Sequence, residues 1–348
     1  MIEADPRRAW LEPGAHEVAP GVWRMPLPLP TDGLRAVNVY AVADGGGLTL
    51  VDAGWAIDEA RQALVTALRA IGAQLGDIRR FLVTHFHRDH LTQAIAIRRE
   101  LGAKVLLGAG EKHAIDTLIG DPAPAMRHQF EMLLRYGGEK VLAALRAAGI
   151  GADASDPGYE PPDAYVDSGE LFQVGDRVLE AIATPGHTRG HLVFFDRAGG
   201  LLFAGDHVLP HITPSVGFEV DPPRLALDAY LGSLRLVRRL PDAVLLPAHG
   251  PAGGRVHERV DALLDHHDRR LAEMLRRLGD GASTPYEVAA QTFWTSRRRP
   301  LGDLDPVNQM LAVFETALHL DLLVARGKVA LADADGVLVY RAGAGASR

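Results

Sequence analysis

The amino-acid sequence predicts an α/β fold followed by a smaller C-terminal module of helices and one hairpin. Three observations predict it. Short apolar runs alternate with helix-period segments as far as residue 255. The segment Thr84-His85-Phe86-His87-Arg88-Asp89-His90 lies between an apolar run and a helical one, the junction at which α/β enzymes hold their chemistry. Beyond residue 255, capped helices precede a turn signal between two β-rich runs, a winged-helix-like order. A chain of 348 residues can bury a sizeable core, and the expected division is one large domain over 1–255 and a small one over 256–348.

Residues 17–53 alternate β-rich runs with turn residues, as in Val22-Trp23-Arg24-Met25, Val37-Asn38-Val39-Tyr40-Ala41-Val42 and, after Gly45-Gly46-Gly47, Leu48-Thr49-Leu50-Val51. This reads as a meander of strands. Asp58 to Ile71 has helical spacing closed by Gly72, Phe81-Leu82-Val83 reads as a buried strand, and Leu91 to Ile97 as a helix. Ala103 to Leu107 is the next strand. Residues 109–150 carry helical periodicity, with Met126, Phe130, Leu133, Leu134, Val141 and Leu145 on one face, and predict an inserted helical pair. A loop over Gly151–Pro162 leads to strands near Arg177–Ala183, Leu192–Phe195 and Leu201–Ala204, the last two joined by Ala198-Gly199-Gly200. Val256 to Leu278 is amphipathic with helical period. Thr284-Pro285-Tyr286-Glu287 is a capping box that opens a short helix, and Asp305-Pro306 opens a longer one that Gly327 ends. Asp335-Gly336 turns a hairpin between Lys328–Leu331 and Val337–Tyr340.

Net charge is −7, from 37 Lys and Arg against 44 Asp and Glu. Over residues 255–340 eleven basic residues face thirteen acidic ones, poor support for a nucleic-acid platform. Cysteine is absent, which excludes disulfides, thiolate ligands and a cysteine nucleophile, so any metal must be held by His, Asp or Glu. The first residues lack the apolar core of a signal peptide, and no run reaches about eighteen uninterrupted apolar residues, so a cytoplasmic protein without membrane attachment is expected.

The His-rich string reads as a metal site. His85 and His87, two apart in an extended segment, can face the same way, whereas His90 reaches round a turn. Asp89 and His90 then address a second position, so two adjacent cations explain the string better than one. Imidazole and carboxylate donors suit zinc first, with iron or manganese as alternatives. Three further segments end strands with candidate ligands: Thr184-Pro185-Gly186-His187-Thr188, Ala204-Gly205-Asp206 and Leu246-Pro247-Ala248-His249-Gly250. A glycine beside each permits close backbone approach.

Taken in order, Asp52, His85, His87, Asp89, His90, His187, Asp206 and His249 resemble the pattern of the metallo-β-lactamase superfamily, over about residues 17–255. The resemblance implies a four-layer αβ/βα sandwich. It places His85, His87 and His187 on one metal and Asp89, His90 and His249 on the other, with Asp206 bridging and Asp52 orienting the ligands. The segment from Thr184 to His191 is similar to the glyoxalase II-like branch. His266-His267-x-x-Arg270-Leu271 and Thr284-Pro285-Tyr286-Glu287 resemble a winged-helix extension of β-lactamase-like proteins that include an endoribonuclease and proteins assigned as thioesterases. One departure bears on how the motif helix packs: Leu91-Thr92-Gln93 stands where the family often has two glycines.

The expected activity is hydrolysis by a hydroxide shared between two divalent ions, aimed by Asp89, with one ion polarising the acyl oxygen. No dedicated acid is evident, and a thiolate leaves without one. A thioester of glyoxalase II or acyl-carrier type is therefore the first expectation. A lactone comes next, then an RNA phosphodiester, then a non-hydrolytic metal-binding role. The expected partner is a small acyl substrate; nucleic acid is disfavoured, and a homodimer is left open. Of fifteen histidines the cage takes five. His113, His128, His257, His266, His267 and His319 read as solvated or packing residues, His191 and His207 as either hydrogen-bonding neighbours of the cage or structural, and His211 is unassigned. The insertion at 109–150 reads as a lid over the substrate pocket, with a packed embellishment as the alternative.

Overall fold

Two β-sheets stacked face to face form the centre of the molecule, which a computed structural model describes over residues 6–30, 33–120, 124–151, 158–278, 281–295 and 297–343. The first sheet contains β1 (His16–Ala19), β2 (Val22–Pro28), β3 (Ala36–Ala43), β4 (Leu48–Val51), β5 (Ile78–Val83), β6 (Lys104–Gly108) and β7 (Ala164–Val166), in that spatial order. Its strands pair antiparallel as far as β4 and parallel from β4 to β7. The second sheet runs in the order β12-β11-β10-β9-β8, from β8 (Leu171–Val174), β9 (Arg177–Ala183), β10 (Leu192–Asp196), β11 (Leu201–Gly205) and β12 (Val244–Pro247).

Side chains alternate across a strand, and both faces of the sheets are covered at their centres, so strands such as β3, β4, β10 and β11 are buried and largely apolar along most of their length. In β3, Val37, Val39 and Ala41 face helices α1 (Asp58–Ala70) and α2 (Arg88–Leu101), while Tyr40 and Val42 enter the layer between the sheets. There Tyr40 meets Phe203 of the second sheet edge-on at 5.4 Å. Phe81 and Val83 of β5 likewise lie on the helix side and Leu82 between the sheets. Helices α6 (Ala226–Arg239) and α7 (Val256–Leu278) cover the outer face of the second sheet. The result is the four-layer αβ/βα sandwich.

After α7 come β13 (Ala282–Ser283), α8 (Pro285–Ala290), α9 (Pro306–Ala325), β14 (Val329–Ala334) and β15 (Val337–Ala342), the strands forming a small sheet in the order β13-β15-β14. The capping box is present: Glu287 N–H donates to Thr284 Oγ1 at 3.2 Å, and Thr284 N–H to the Glu287 carboxylate at 2.8 Å. Asp305 caps α9 by accepting from Asn308 N–H at 3.0 Å. By length and composition α9 is apolar enough to cross a membrane. Here it is a core helix, with Val313, Ala317 and Leu320 fully buried, which accounts for a surface apolar nearly all round.

The insertion holds three helices rather than a pair: α3 (Lys112–Gly120), α4 (Pro124–Arg135) and α5 (Glu139–Ala147). Pro124 opens α4 at its first position, and Gly137, in the left-handed region at φ 74°, ends it. Leu133, Tyr136, Val141, Leu142 and Leu145 join an apolar cluster continuous with α6, α7, α8 and α9. Tyr286 N–H donates to the Tyr136 carbonyl at 3.1 Å, and the Tyr136 ring meets Phe314 of α9 at 5.8 Å. For α4 and α5 the packing therefore favours the embellishment over the lid. Half of the loop expected over Gly151–Pro162, residues 152–157, lies outside the described residues. Leu145 is fully buried between α5 and the C-terminal helices, so Leu145→Ala is expected to lower stability by about 2–5 kcal/mol. A lower urea midpoint at unchanged slope is the measurement; an unchanged midpoint would show that the insertion is not part of this core.

Candidate metal centre

Each candidate ligand, and the Asp52 expected to orient them, follows the carboxyl end of a strand: Asp52 after β4, the His85–His90 string after β5, His187 after β9, Asp206 after β11 and His249 after β12. In sheets of this kind those ends form one rim. Asp52 holds a left-handed backbone, φ 60°, and its carboxylate accepts from Thr84 N–H at 2.8 Å, Thr84 Oγ1 at 3.0 Å and His90 Nδ1 at 2.8 Å. Before Asp206 stands Gly205, φ 50°, where a Cβ would come within 2.6 Å of His191 Nε2. That nitrogen accepts from Asp206 N–H at 3.1 Å, which assigns His191 the role of holding Asp206. In the departure after Asp89-His90, Thr92 Oγ1 accepts from Ala56 N–H at 2.9 Å and Gln93 N–H donates to Gly54 O at 3.1 Å. These residues bind the start of α2 to the turn that carries Asp52.

All seven ligand candidates come together. His85 Nε2 and His87 Nδ1 are 2.9 Å apart, and each is 3.1 Å from His187 Nε2. Asp89 Oδ2 is 3.5 Å from His90 Nε2 and 3.4 Å from His249 Nε2. Asp206 lies between the two groups, Oδ1 at 3.3 Å from His249 Nε2 and Oδ2 at 3.5 Å from His187 Nε2.

The protons on these rings follow from their other partners. A carbonyl can only accept, so His87 donates from Nε2 to Phe218 O, His187 from Nδ1 to Ser215 O and His249 from Nδ1 to Ala36 O. Thr84 Oγ1 gives its proton to Asp52 and accepts from His85 Nδ1. Three lone pairs of His85, His87 and His187 therefore face one another with no proton to share. His90 Nε2, His249 Nε2 and Asp206 Oδ1 are buried without a hydrogen-bond partner among the described residues. Such a donor set fits a pair of divalent cations, three imidazoles for one and Asp89, His90 and His249 for the other, and is costly without them.

The two groups differ in charge. Burial keeps His85, His87 and His187 neutral, His87 down to about 3. Burial opposes charge on His90 and His249 as well, but Asp89 and Asp52 raise the first to about 10, and Asp206 with Asp89 raise the second to about 9. His90 and His249 in turn outweigh burial at Asp89 and hold it far below the usual carboxylate range.

Several contributors carry no sequence signal. The carbonyls of Ala36, Ser215 and Phe218 orient three ligand rings. Glu111, fully buried, accepts from Thr188 Oγ1 at 2.5 Å and from the backbone at Phe86 and Gly190, and so ties together the turns that carry His87 and His187. Burial, reinforced by Glu219 and opposed by Thr188, pushes its carboxyl up to about 8. His207 is buried with its ring between those of His191 and Tyr230, and His211 is exposed.

A four-layer sandwich with this cage on the rim of its strands defines a class of metal-binding αβ/βα proteins. The profile of the metallo-beta-lactamase superfamily matches residues 32–249, and the chain belongs to that superfamily. It is 27% identical over 319 residues to a Bacillus subtilis protein named probable metallo-hydrolase YqjP, covering 87% of this chain and 91% of that one. A crystal structure of a metallo-beta-lactamase family protein from Thermus thermophilus superposes with a TM-score of 0.77 at 27% identity, over 94% of this chain and all of the other. A protein of Aspergillus terreus named atrochrysone carboxyl ACP thioesterase is 24% identical over 245 residues, 70% of this chain and 59% of that protein.

Two outcomes are expected. At pH 7 His90 and His249 are protonated in the metal-free protein and the other three imidazoles are not. The first cation should then bind with little proton release, and the second should displace two protons, its affinity rising with pH up to about 9–10. Calorimetry in buffers of different ionisation enthalpy reads this; equal proton release for both ions would overturn it. Asp89→Ala should lose the second ion and cut turnover by about 100-fold or more while the fold stays intact. Metal analysis, far-UV circular dichroism and steady-state rates check it, and normal metal content with normal rates would make Asp89 a turn residue only.

Proposed function

We propose that the protein is a metal-dependent hydrolase acting on a thioester, with a lactone as the nearest alternative substrate. The observation that carries this reading is the seven-donor cage, in which Asp206 lies between a neutral three-imidazole group and an Asp-His-His group. A pair of divalent ions bound there, zinc first by the donor set and iron or manganese next, supplies an activated water near neutral pH and a Lewis acid for an acyl oxygen.

The chain's own residues do the rest. Asp89 lies 3.5 and 3.4 Å from the two imidazoles of its group and stays ionised, which suits it to accept a hydrogen bond and aim a water. Asp206 is likewise held below the usual carboxylate range, by His249 and His90 against its burial. Neither carboxylate therefore offers a proton to a leaving group. Burial pushes the Glu111 carboxyl up to about 8, but it is fully buried and accepts from Thr188 Oγ1 as a brace between the ligand turns. A thiolate, with a thiol pKa of about 8.5, departs without protonation, whereas an amide nitrogen does not. The Aspergillus terreus relative named as a thioesterase supports the same direction.

One observation favours a second reading, an RNA phosphodiester. Arg269, Arg270, Arg276 and Arg298 line a shallow cleft beside α7 with His266. Arg270 is already engaged, by Glu315 at 3.4 Å, by Glu273 at 3.2 Å and by the ring of Trp294 at 4.3 Å, so the free basic charge is smaller than the count suggests. The metal-loaded protein should be assayed on acyl thioesters, lactones, bis-nitrophenyl phosphate and single-stranded RNA. Thioesters or lactones are expected to rank first in kcat/KM. RNA cleavage more efficient than every acyl substrate, and abolished by His187→Ala, would replace this reading with the nuclease one.

A further inference from the structure

Arg88 stands in the chain between two ligands of the metal centre, His87 and Asp89, and is exposed. Its backbone is fixed at the start of α2. The Thr92 hydroxyl donates to the Arg88 carbonyl at 2.6 Å and accepts from Ala56 N–H at 2.9 Å, so one side chain holds Arg88 and the turn of Trp55 in register. The guanidinium lies over the Trp55 ring, 5.8 Å from its centre, within reach of a cation–π contact. It is also hydrogen-bonded to Tyr159, whose ring meets that of Phe86 at 6.3 Å. Phe86 is buried, with its ring 4.8 Å from that of His87, so the support under Tyr159 leads back to the cage. A guanidinium can only donate, so the Tyr159 oxygen accepts from Arg88 and the phenolic proton is left to donate to a further group. Burial, joined by Asp89 and Glu111 and opposed by Arg88, pushes the Tyr159 hydroxyl above its ordinary range, and the proton stays on it at neutral pH.

Neighbouring carboxylates are committed elsewhere. Asp89 faces His90 and His249 at 3.5 and 3.4 Å, Glu160 pairs with Arg98 and Arg99, and Glu219 with Arg189 at 3.8 Å. Glu111 accepts from Thr188 Oγ1. Arg189, the other arginine in the ligand-bearing turns, also donates to the Asp221 carbonyl at 2.5 Å. Arg88 forms no ion pair among the described residues. A mobile guanidinium in water would add little to a contact, because ordering it costs entropy. This one is restricted by Trp55 and Tyr159 before any ligand arrives, and its planar fork matches the oxygens of a carboxylate or a phosphate.

We propose that Arg88 and Tyr159 form an anion-recognition subsite at the metal centre, and that the substrate is a thioester bearing a carboxylate or phosphate. The inference rests on the thioester reading above. The anion accepts from the guanidinium fork and from the phenol, while the Trp55 ring holds the fork in place. An uncharged substrate leaves both donors to water and gains nothing from them. Arg88 meets the anion and not the reacting acyl carbon, so its contribution belongs to KM more than to kcat.

The test uses the metal-loaded full chain and two pairs of thioesters, each pair differing in one anionic group or set of groups. Succinyl and butyryl thioesters of N-acetylcysteamine place the anion on the acyl side; butyryl thioesters of coenzyme A and of pantetheine place it on the thiol side. The wild type is expected to favour the charged member of one pair by about ten-fold or more in kcat/KM at low salt, mainly through KM, and that pair identifies the side that carries the anion. Added salt should reduce the preference. Arg88→Gln should bring the ratio close to one, Arg88→Lys should keep part of it by retaining the charge without the fork, and Tyr159→Phe should lower it by about three-fold. A ratio of one for both pairs in the wild type would overturn the proposal, as would a preference that Arg88→Gln leaves unchanged. Metal analysis accompanies each variant. Should Arg88→Gln lose metal, the Arg88→Lys and Tyr159→Phe ratios decide: a fall in either supports the subsite, and wild-type ratios in both overturn it. If no thioester is hydrolysed, the function reading fails separately, and calorimetric binding of the amide analogues of the same pairs decides the subsite. Tighter binding of a charged member, lost in Arg88→Gln, supports it, and equal binding within both pairs overturns it.

Discussion

Three imidazole nitrogens, from His85, His87 and His187, are held within 3.1 Å of one another with their lone pairs inward, and the surrounding structure is arranged to keep them there. Each ring is fixed from behind by a group that can only accept or has already spent its proton: Thr84 Oγ1, Phe218 O and Ser215 O. Left to itself such a cluster would turn a ring or take up a proton. It cannot easily turn, because its turns are locked by strands buried on both faces, and it does not readily take up a proton, because burial opposes the charge. A cation resolves both conflicts, so the fold holds a site of stored electrostatic cost that metal binding relieves.

The neighbouring group solves the opposite problem. Asp52, Asp89 and Asp206 surround His90 and His249, and the imidazoles become cations that neutralise the carboxylates when no metal does so. One half of the cage is thus neutral and short of positive charge, and the other half supplies its own. Asp206 reaches both, with one oxygen toward His187 and the other toward His249. His191, which accepts from the Asp206 backbone, and Glu111, which joins the turns of His87 and His187, keep the halves in register.

The C-terminal helices share the core of the sandwich. A single apolar cluster runs from the second sheet through α6 and α7 to α8, α9 and Tyr340, and takes in α4 and α5 of the insertion. The buried Asp321 of α9 accepts from the Tyr340 hydroxyl at 2.9 Å and pairs with Arg224, which stands just ahead of α6, at 2.9 Å. Through the segment 213–218 this region reaches the carbonyls that orient two ligand rings, so its packing and the geometry of the metal centre are mechanically joined.

Local chemistry was legible in the chain itself. The capping box at Thr284, the Asp305-Pro306 start, the full extent of α7 and the His-rich string all depend on residues within one or two turns of each other, and each stands where its pattern placed it. The strands β7 and β8 and the helix α6 leave little trace in the sequence, because β7 is three residues long, β8 is a four-residue edge strand with one face exposed, and α6 follows a loop without a side-chain cap. His267 and His319 look like ordinary helix residues, and nothing in their spacing, 52 positions apart, announces that one ring bonds to the other. The sequence by itself determined which residues have metal-ligating chemistry and that they end strands. Only the tertiary structure decided which carbonyls set their tautomers and which turns Glu111 joins, because those properties arise largely from backbone groups every residue carries, brought together across the fold.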